Sequence, residues 1–215
     1  MSEFFISQMK CSLAAVSYFW YYLQERQAYG CMRVVAGTAG GLKLITRDSE
    51  DTKPTLDRVK EAMFSMLSPY LNGATVLDLF SGSGALGIEA LSRGAARCVF
   101  CDKSKACCDI IEKNLESTGL ADKATVLRGD FTGILKTLKM QGEIFDMVLL
   151  DPPYNRGFER EAMLLLARYC LCSPEAIVLC EHAFQDKMPE QCGEFILMKD
   201  KKYGTVGVSV YEKKV

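Results

Sequence analysis

Along most of this 215-residue chain, short apolar runs take turns with helical patterns. From Ala74 onward the runs are "TVLDLF", "RCVFCD", "ATVLRGD", "FDMVLLD" and "EAIVLCE". Between them stand "GALGIEALSRG", "SKACCDIIEKNLESTG", "TGILKTLKMQG" and "EREAMLLLARYC", whose apolar residues recur at helical spacing. Strands separated by helices predict a parallel sheet covered on both faces. The chain closes with "GEFILMKDKKYG" and "TVGVSVYEKK", two strand-like runs about Gly204 that predict an antiparallel hairpin at a sheet edge.

Ahead of this alternation, "MRVVAGTAGGLKLIT" reads as two short strands joined by a glycine-containing turn. "TKPTLDRVKEAMFSML" then predicts an amphipathic helix opening at Pro54. Leu56, Val59, Met63 and Met66 form its inward face, and Asp57, Arg58, Lys60 and Glu61 its outward one. Residues 1–31 differ from the rest in being aromatic and without strand–turn punctuation; "SLAAVSYFWYYLQER" could form one helix. The expected division is an extension of unknown role over 1–31, a hairpin-and-helix region over 32–72 and the alternating domain over 73–215.

Composition agrees with a globular protein, at 49% hydrophobic and 25% charged. No apolar run reaches the roughly 18 residues that span a bilayer. "CSLAAVSYFWYYL" follows Lys10 but lacks a clear small-residue cleavage site, so a signal peptide is not expected. Ten cysteines scattered through strands and helices point to reduced thiols and a cytoplasmic protein. Cys98 and Cys101 make a C-x-x-C, but on a strand they face opposite sides, and the chain has a single histidine, His182. No metal is expected. The net charge of −1 neither demands nor excludes nucleic acid, although Arg33–Lys60 and Lys199–Val215 are mildly basic.

The chemistry starts at "VLDLFSGSGALG". Gly82, Gly84 and Gly87 match G-x-G-x-x-G, and Asp102 follows Gly82 by 20 residues, as in a dinucleotide site. A pyrophosphate would lie on the helix N-terminus, and Asp78 at the strand tip would repel it. S-adenosylmethionine (SAM) carries no phosphate; its sulfonium and ammonium are both cationic, and Asp78 then attracts. Asp102 suits ribose hydroxyls, Asp130 the exocyclic amine of adenine, and Phe131 its ring. Asp78, Asp102, Asp130 and Asp151 all follow predicted strands, where ligands of open parallel sheets sit.

The fourth strand ends in "LLDPPYN". Adjacent prolines forbid helix and remove two donors, so the turn displays acceptors only, the Asp151 carboxylate and the Pro152 carbonyl. These suit an –NH₂ group, and Tyr154 offers a ring on which a planar base can stack. An exocyclic amine is a poor nucleophile because its lone pair is conjugated. Holding both hydrogens favours a pyramidal nitrogen aimed at the methyl group, and alignment and electrostatics supply the rest.

"VLDLFSGSGALGIEA", "FCDKS", "VLRGD" and "DPPY", in that order, resemble the class I SAM-dependent methyltransferases that modify exocyclic amines. "MRVVAGTAGGLKL", "TKPTLDRVKEAMFSML" and the closing "KKYGTVGVSVYEK" narrow the resemblance to the RsmD-type family, bacterial enzymes of guanine N2 in small-subunit (16S) ribosomal RNA. The resemblance implies a Rossmann-like α/β fold: a seven-stranded, mostly parallel sheet with a C-terminal antiparallel hairpin, preceded by a small β-hairpin and helix that engage RNA. It implies SAM as cofactor and S-adenosylhomocysteine as product, with Asp78, Phe80, Gly82, Gly84, Asp102, Lys103, Asp130 and Phe131 as cofactor contacts. Asp151, Pro152, Pro153 and Tyr154 are the expected catalytic turn.

Candidate RNA contacts are Arg33, Lys43, Lys53, Arg58, Lys201, Lys202 and Tyr203. Lys53 stands where the family more often has arginine, which turns a bidentate phosphate contact into a point charge. A modest net charge fits a substrate presented within an assembled or assembling ribosomal subunit, and nothing indicates an obligate protein partner, so a monomer is expected. His182 is read as structural or peripheral. The alternatives are an adenine-N6 methyltransferase using the same turn, which lacks room for a long target-recognition region, a dehydrogenase, disfavoured by Asp78, and a non-catalytic RNA-binding module.

Overall fold

The computed structural model describes residues 32–46, 56–154 and 156–214. Helix α1 (Leu56–Leu71) precedes a regular alternation: β1 (Thr75–Asp78), α2 (Ala85–Ser92), β2 (Arg97–Asp102), α3 (Lys105–Thr118), β3 (Ala124–Arg128), α4 (Phe131–Met140), β4 (Phe145–Leu150), α5 (Phe158–Tyr169) and β5 (Cys172–Ala183). The short β6 (Gln191–Cys192) and the hairpin of β7 (Phe195–Tyr203) and β8 (Val206–Lys213) complete the sheet.

The sheet order is β3-β2-β1-β4-β5-β8-β7-β6. The pairs among β1 to β5 are parallel, and β8 runs antiparallel between β5 and β7. This is the Rossmann-like α/β arrangement expected from the resemblance, with the two-residue β6 added at the outer edge. Val76, Leu77 and Met147 to Leu150 are fully buried because helices cover both faces, which is why these strands read as unbroken apolar runs. One core packs Val59, Met63 and Phe64 of α1, Ile88 of α2 and Ile111 of α3 against Val76, Met147 and Leu149. The other packs Leu135 of α4 and Met163 and Leu166 of α5 against Leu77, Val148 and Leu150. Cys98 belongs to the first core and Cys101 to the second, on opposite faces of β2. Among the described residues no group of three or more metal-ligating side chains gathers, and no helix is long and apolar enough to cross a membrane.

The N-terminal hairpin is pared to one antiparallel bridge, Arg33 with Lys43. Val34 N donates to Leu42 O at 2.9 Å and Leu44 N to Met32 O at 2.8 Å. What holds it is not pairing but buried side chains from two helices. Glu89 of α2, fully buried, accepts from Val35 N at 2.7 Å and Ala36 N at 3.0 Å. Ser92 donates to Ala36 O at 2.6 Å and accepts from Ala39 N at 2.9 Å. Asn114 of α3 accepts from Ile45 N at 2.8 Å and donates to Ile45 O at 2.9 Å. Gly37, at φ +85°, lies so close to α2 that a Cβ would sit 1.9 Å from Ser92 O.

One expectation for α1 is overturned. Lys60, assigned to the outward face, is only 4% exposed. Its ammonium donates to Arg33 O and lies 3.5 Å from Glu89 Oε2, in a seam between α1, α2 and the hairpin. Burial lowers its pKa, and Glu89 counters that. The acid is also held by Arg93 Nε at 2.7 Å, so the buried charge is compensated. Helix α1 is thus covered on two sides, by the sheet and by the hairpin.

Candidate active site

The strand order reverses direction between β1 and β4, and the crevice opens at their carboxyl ends. Beyond β1 the chain turns through Gly82 (φ +56°) and Gly84 (φ +80°) into α2. Gly87 lets that helix lie on β2, since a Cβ there would meet the Phe100 ring at 2.3 Å. Ser81 staples the turn, donating to Asp78 O at 2.6 Å and accepting from Cys101 N at 2.9 Å.

Asp78 is 1% exposed, and its Oδ2 accepts from Gly87 N at 2.9 Å, in the first turn of α2. An acid therefore occupies an amide of the first turn of α2, where the sequence reading expected only a charge opposing an anion. Burial pushes its pKa up to about 7, and the Gly87 and Ser81 hydrogen bonds only partly offset this.

Asp102, at the end of β2, holds the loop by accepting from Gly82 N at 3.0 Å through Oδ2 and from Ser104 N at 2.8 Å through Oδ1. Asp130 caps α4, accepting from Thr132 N at 3.0 Å and Thr132 Oγ1 at 2.7 Å. Phe131 is 8% exposed and belongs to a trio, 5.2 Å from Phe80 and 5.4 Å from Phe158 between ring centroids. The trio presents an apolar wall rather than one free-standing ring.

These residues enclose a cleft of about 700 Å³. It brings together Phe80, Gly82, Asp102, Lys103, Asp130, Phe131 and the whole Asp151–Tyr154 turn. Gly84 lines neither this cleft nor the smaller cavity beside it, and packs toward Ile111. Asp78 lines only that inner cavity, of about 190 Å³, with Asp151, Glu181, Lys60 and Met32 among its other walls. Sequence reasoning missed Met32, Phe158, Glu181, Thr205 and Val206, which also line the cleft.

Tyr154 donates its hydroxyl to Glu181 Oε1 at 2.7 Å, which ties the D-P-P-Y turn to β5. Leu150 is in register with Cys180, so Asp151 and Glu181 leave neighbouring strands at the same height. Burial, then the Glu181 carboxylate, pushes the Asp151 pKa well above the usual carboxylate range. Its side chain is open to the cleft, so water there tempers the shift. Burial also raises Glu181, against the pull of the Tyr154 hydrogen bond and His182. Burial and Glu181 raise the Tyr154 hydroxyl further, keeping it a donor. Three raised acids, Asp78, Asp151 and Glu181, around one inner cavity make a site that a cation relieves.

His182, the neighbour of Glu181, points away: it is 2% exposed, with Nε2 2.8 Å from Ser209 Oγ and Nδ1 3.0 Å from Ala183 O. Of the candidate RNA contacts, Arg33 already pairs with Asp57 at 2.8 Å. Lys43, Arg58, Lys201 and Lys202 are exposed and Tyr203 is half-buried. Lys202 Nζ sits 3.9 Å from the centroid of Phe184. Lys53 lies outside the described residues, as do residues 1–31. Met32 and Thr205–Val206 line the cleft, so the neighbours of Arg33 and of Tyr203 border it.

The family model described as Conserved hypothetical protein 95 matches residues 32–212. Ribosomal RNA small subunit methyltransferase D of Haemophilus influenzae is 35% identical over 191 residues, 88% of this chain and 98% of its own. The protein of the same name from Escherichia coli K12 is 34% identical over 184 residues, 86% of this chain and 91% of its own. Among solved structures, the Escherichia coli protein yhhF matches with a TM-score of 0.75 at 31% identity, covering 86% of this chain and 99% of that one.

Proposed function

We propose, from the premise that this chain belongs to the Conserved hypothetical protein 95 family, that it transfers a methyl group from SAM to the exocyclic N2 amine of a guanine in small-subunit rRNA. The observation that carries the reading is the acceptor-only turn of Asp151 and Pro152, opening into the cleft that the glycine loop borders. The names of the Haemophilus and Escherichia relatives support rRNA of the small subunit as substrate.

The residues fit SAM. Asp78 lies in the inner wall, and its raised acid is relieved by positive charge. Phe80, Phe131 and Phe158 offer the apolar surface an adenine needs, with Asp130 beside them for its amine. Asp102 faces the cleft with lone pairs for ribose hydroxyls while its backbone bonds hold the loop. Bound there, SAM supplies an electrophilic methyl on a good leaving group and departs as S-adenosylhomocysteine; no metal takes part.

The chain's own residues do the rest. The Asp151 carboxylate and the Pro152 carbonyl accept the two amine hydrogens, which turns the nitrogen lone pair out of conjugation. Tyr154, anchored through Glu181, stacks on the base. After transfer the methylated amine is cationic and acidic and gives its proton to water in the open cleft, so no base is needed beforehand. The target base must be brought out of the RNA, at roughly a few kcal/mol of lost stacking. Residues 32–72 and the end of β7 engage the RNA around it, through Lys43, Lys53, Arg58, Lys201, Lys202 and Tyr203, with Arg33 reached by exchange of its Asp57 partner. The substrate is the assembled or assembling subunit, met by a cytoplasmic monomer.

The test is to incubate the protein with methyl-labelled SAM and, separately, unmethylated small-subunit particles, bare rRNA and duplex DNA. Nucleosides are then identified by mass. N2-methylguanosine from particles or rRNA is expected; N6-methyladenine in its place would overturn the assignment in favour of the adenine-N6 reading.

A further inference from the structure

We infer that Glu181 selects the base: the carboxylate oxygen not engaged by Tyr154 accepts the N1–H of the target guanine, beside the N2 amine held by Asp151 and Pro152. This rests on the reading of the site as a guanine-N2 methyltransferase.

Glu181 is 7% exposed, yet it lines both the cleft and the inner cavity. Its Oε1 accepts from the Tyr154 hydroxyl at 2.7 Å. Its Oε2 accepts no hydrogen bond from any described residue. That second oxygen belongs to a side chain lining the cleft, so it is open to a further donor, and a bound base can supply one in place of water. Burial raises the Glu181 pKa, and Tyr154 and His182 counter it toward the ionised form that accepting requires.

Register brings the two acids to one edge of the base. Leu150 pairs with Cys180, so Asp151 and Glu181 follow at matching positions on parallel strands about 4.8 Å apart. The Watson–Crick edge of guanine carries two adjacent donor groups, N2–H₂ and N1–H, and two side-by-side carboxylates match them. Adenine offers an amine too, but its N1 is an acceptor. A Glu181 oxygen there would meet a lone pair in place of a donor, so the second hydrogen bond is lost. A shared D-P-P-Y turn accommodates either amine; Glu181 separates the two.

The test uses 2,6-diaminopurine, which keeps the 2-amino group but carries an acceptor at N1. Small-subunit rRNA is ligated with guanine or 2,6-diaminopurine at the position mapped by nucleoside analysis and assembled into particles. Methyl transfer from labelled SAM is then followed with the full-length wild type, Glu181→Gln and Tyr154→Phe. The wild type is expected to prefer guanine on the order of 100-fold. Glu181→Gln, whose amide can donate to N1, is expected to bring that ratio toward one; both substrates use the same cofactor, so a change in SAM affinity does not move the ratio. Tyr154→Phe is expected to slow both substrates and keep the ratio. Equal rates on the two bases with wild type overturn the inference without any variant. So does an unchanged ratio in Glu181→Gln, or a ratio lost equally in Tyr154→Phe, which would mean Glu181 acts only by holding the ring. If the wild type methylates no guanine at all, the underlying reading falls and takes the inference with it; guanine methylated without discrimination sinks the inference alone.

Discussion

The side-chain amide of Asn114, fully buried on α3, donates at 2.9 Å to the carbonyl of Ser83 in the glycine loop. The same amide bonds the N–H and the carbonyl of Ile45, at the far end of the N-terminal hairpin. One side chain thus joins the segment proposed to meet RNA to the loop proposed to meet the cofactor.

Asn114→Ala should destabilise the protein by roughly 2–3 kcal/mol, because two carbonyls and one N–H lose their partner in a buried place. Asn114→Asp should do no better, since a carboxylate would face the Ser83 and Ile45 carbonyls. Urea unfolding followed by circular dichroism measures both, and wild-type stability in Asn114→Ala would remove Asn114 from this role.

Asp151→Ala should cut methyl transfer by roughly 1,000-fold while leaving SAM binding within a few-fold. Isothermal titration beside a single-turnover transfer assay separates the two. Lost SAM binding would move Asp151 from the turn that holds the amine to the cofactor site.

Asp78 predicts a pH signature. Its folded pKa is about 7 against an ordinary 3.8, so the folded state binds the proton more tightly. Stability contributed at this position is therefore greatest at low pH and declines as pH rises from about 4 to about 7. Asp78→Asn removes the ionisation. The stability of Asp78→Asn relative to wild type should rise by roughly 2–3 kcal/mol between pH 5 and pH 8. SAM favours the ionised acid, so its affinity should tighten with rising pH, by at most about tenfold per unit below pH 7. Denaturant melts and titrations at four pH values check both slopes; parallel curves for the two proteins would contradict them.

Gly37 and Gly41 share φ +85°, but a Cβ at Gly37 meets Ser92 O at 1.9 Å while none lies within 4 Å of one at Gly41. Gly41→Ala should cost about 1 kcal/mol of left-handed strain, and Gly37→Ala at least ~3 kcal/mol, strain plus a clash with helix backbone. Equal unfolding midpoints for the two variants would show that the hairpin yields rather than holds.

Much of this was legible in advance because the informative residues are local. Strands covered on both faces leave apolar runs such as "FDMVLLD", and two prolines after an acid declare a turn whatever surrounds it. The failures were non-local. Lys60 reads as surface because lysine usually is, and only Glu89, on another helix, makes its burial tolerable. In "CEH" the histidine drew notice and the glutamate did not. Strand alternation puts them on opposite faces, but which one meets the cleft depends on the register with β4. Likewise Asp78 serves as an internal cap of α2 as well as an electrostatic wall, a double duty that spacing alone does not disclose.

The anchoring of the hairpin has a bearing on how the protein is born. Glu89, Ser92 and Asn114, which hold the backbone of Val35, Ala36, Ala39 and Ile45, lie 53 to 69 residues further along the chain than the groups they bind. A chain made from its N-terminus therefore carries this segment unanchored until α2, and then Asn114, have left the ribosome. The first described segment to be synthesised therefore takes its final place only after two later helices have been made.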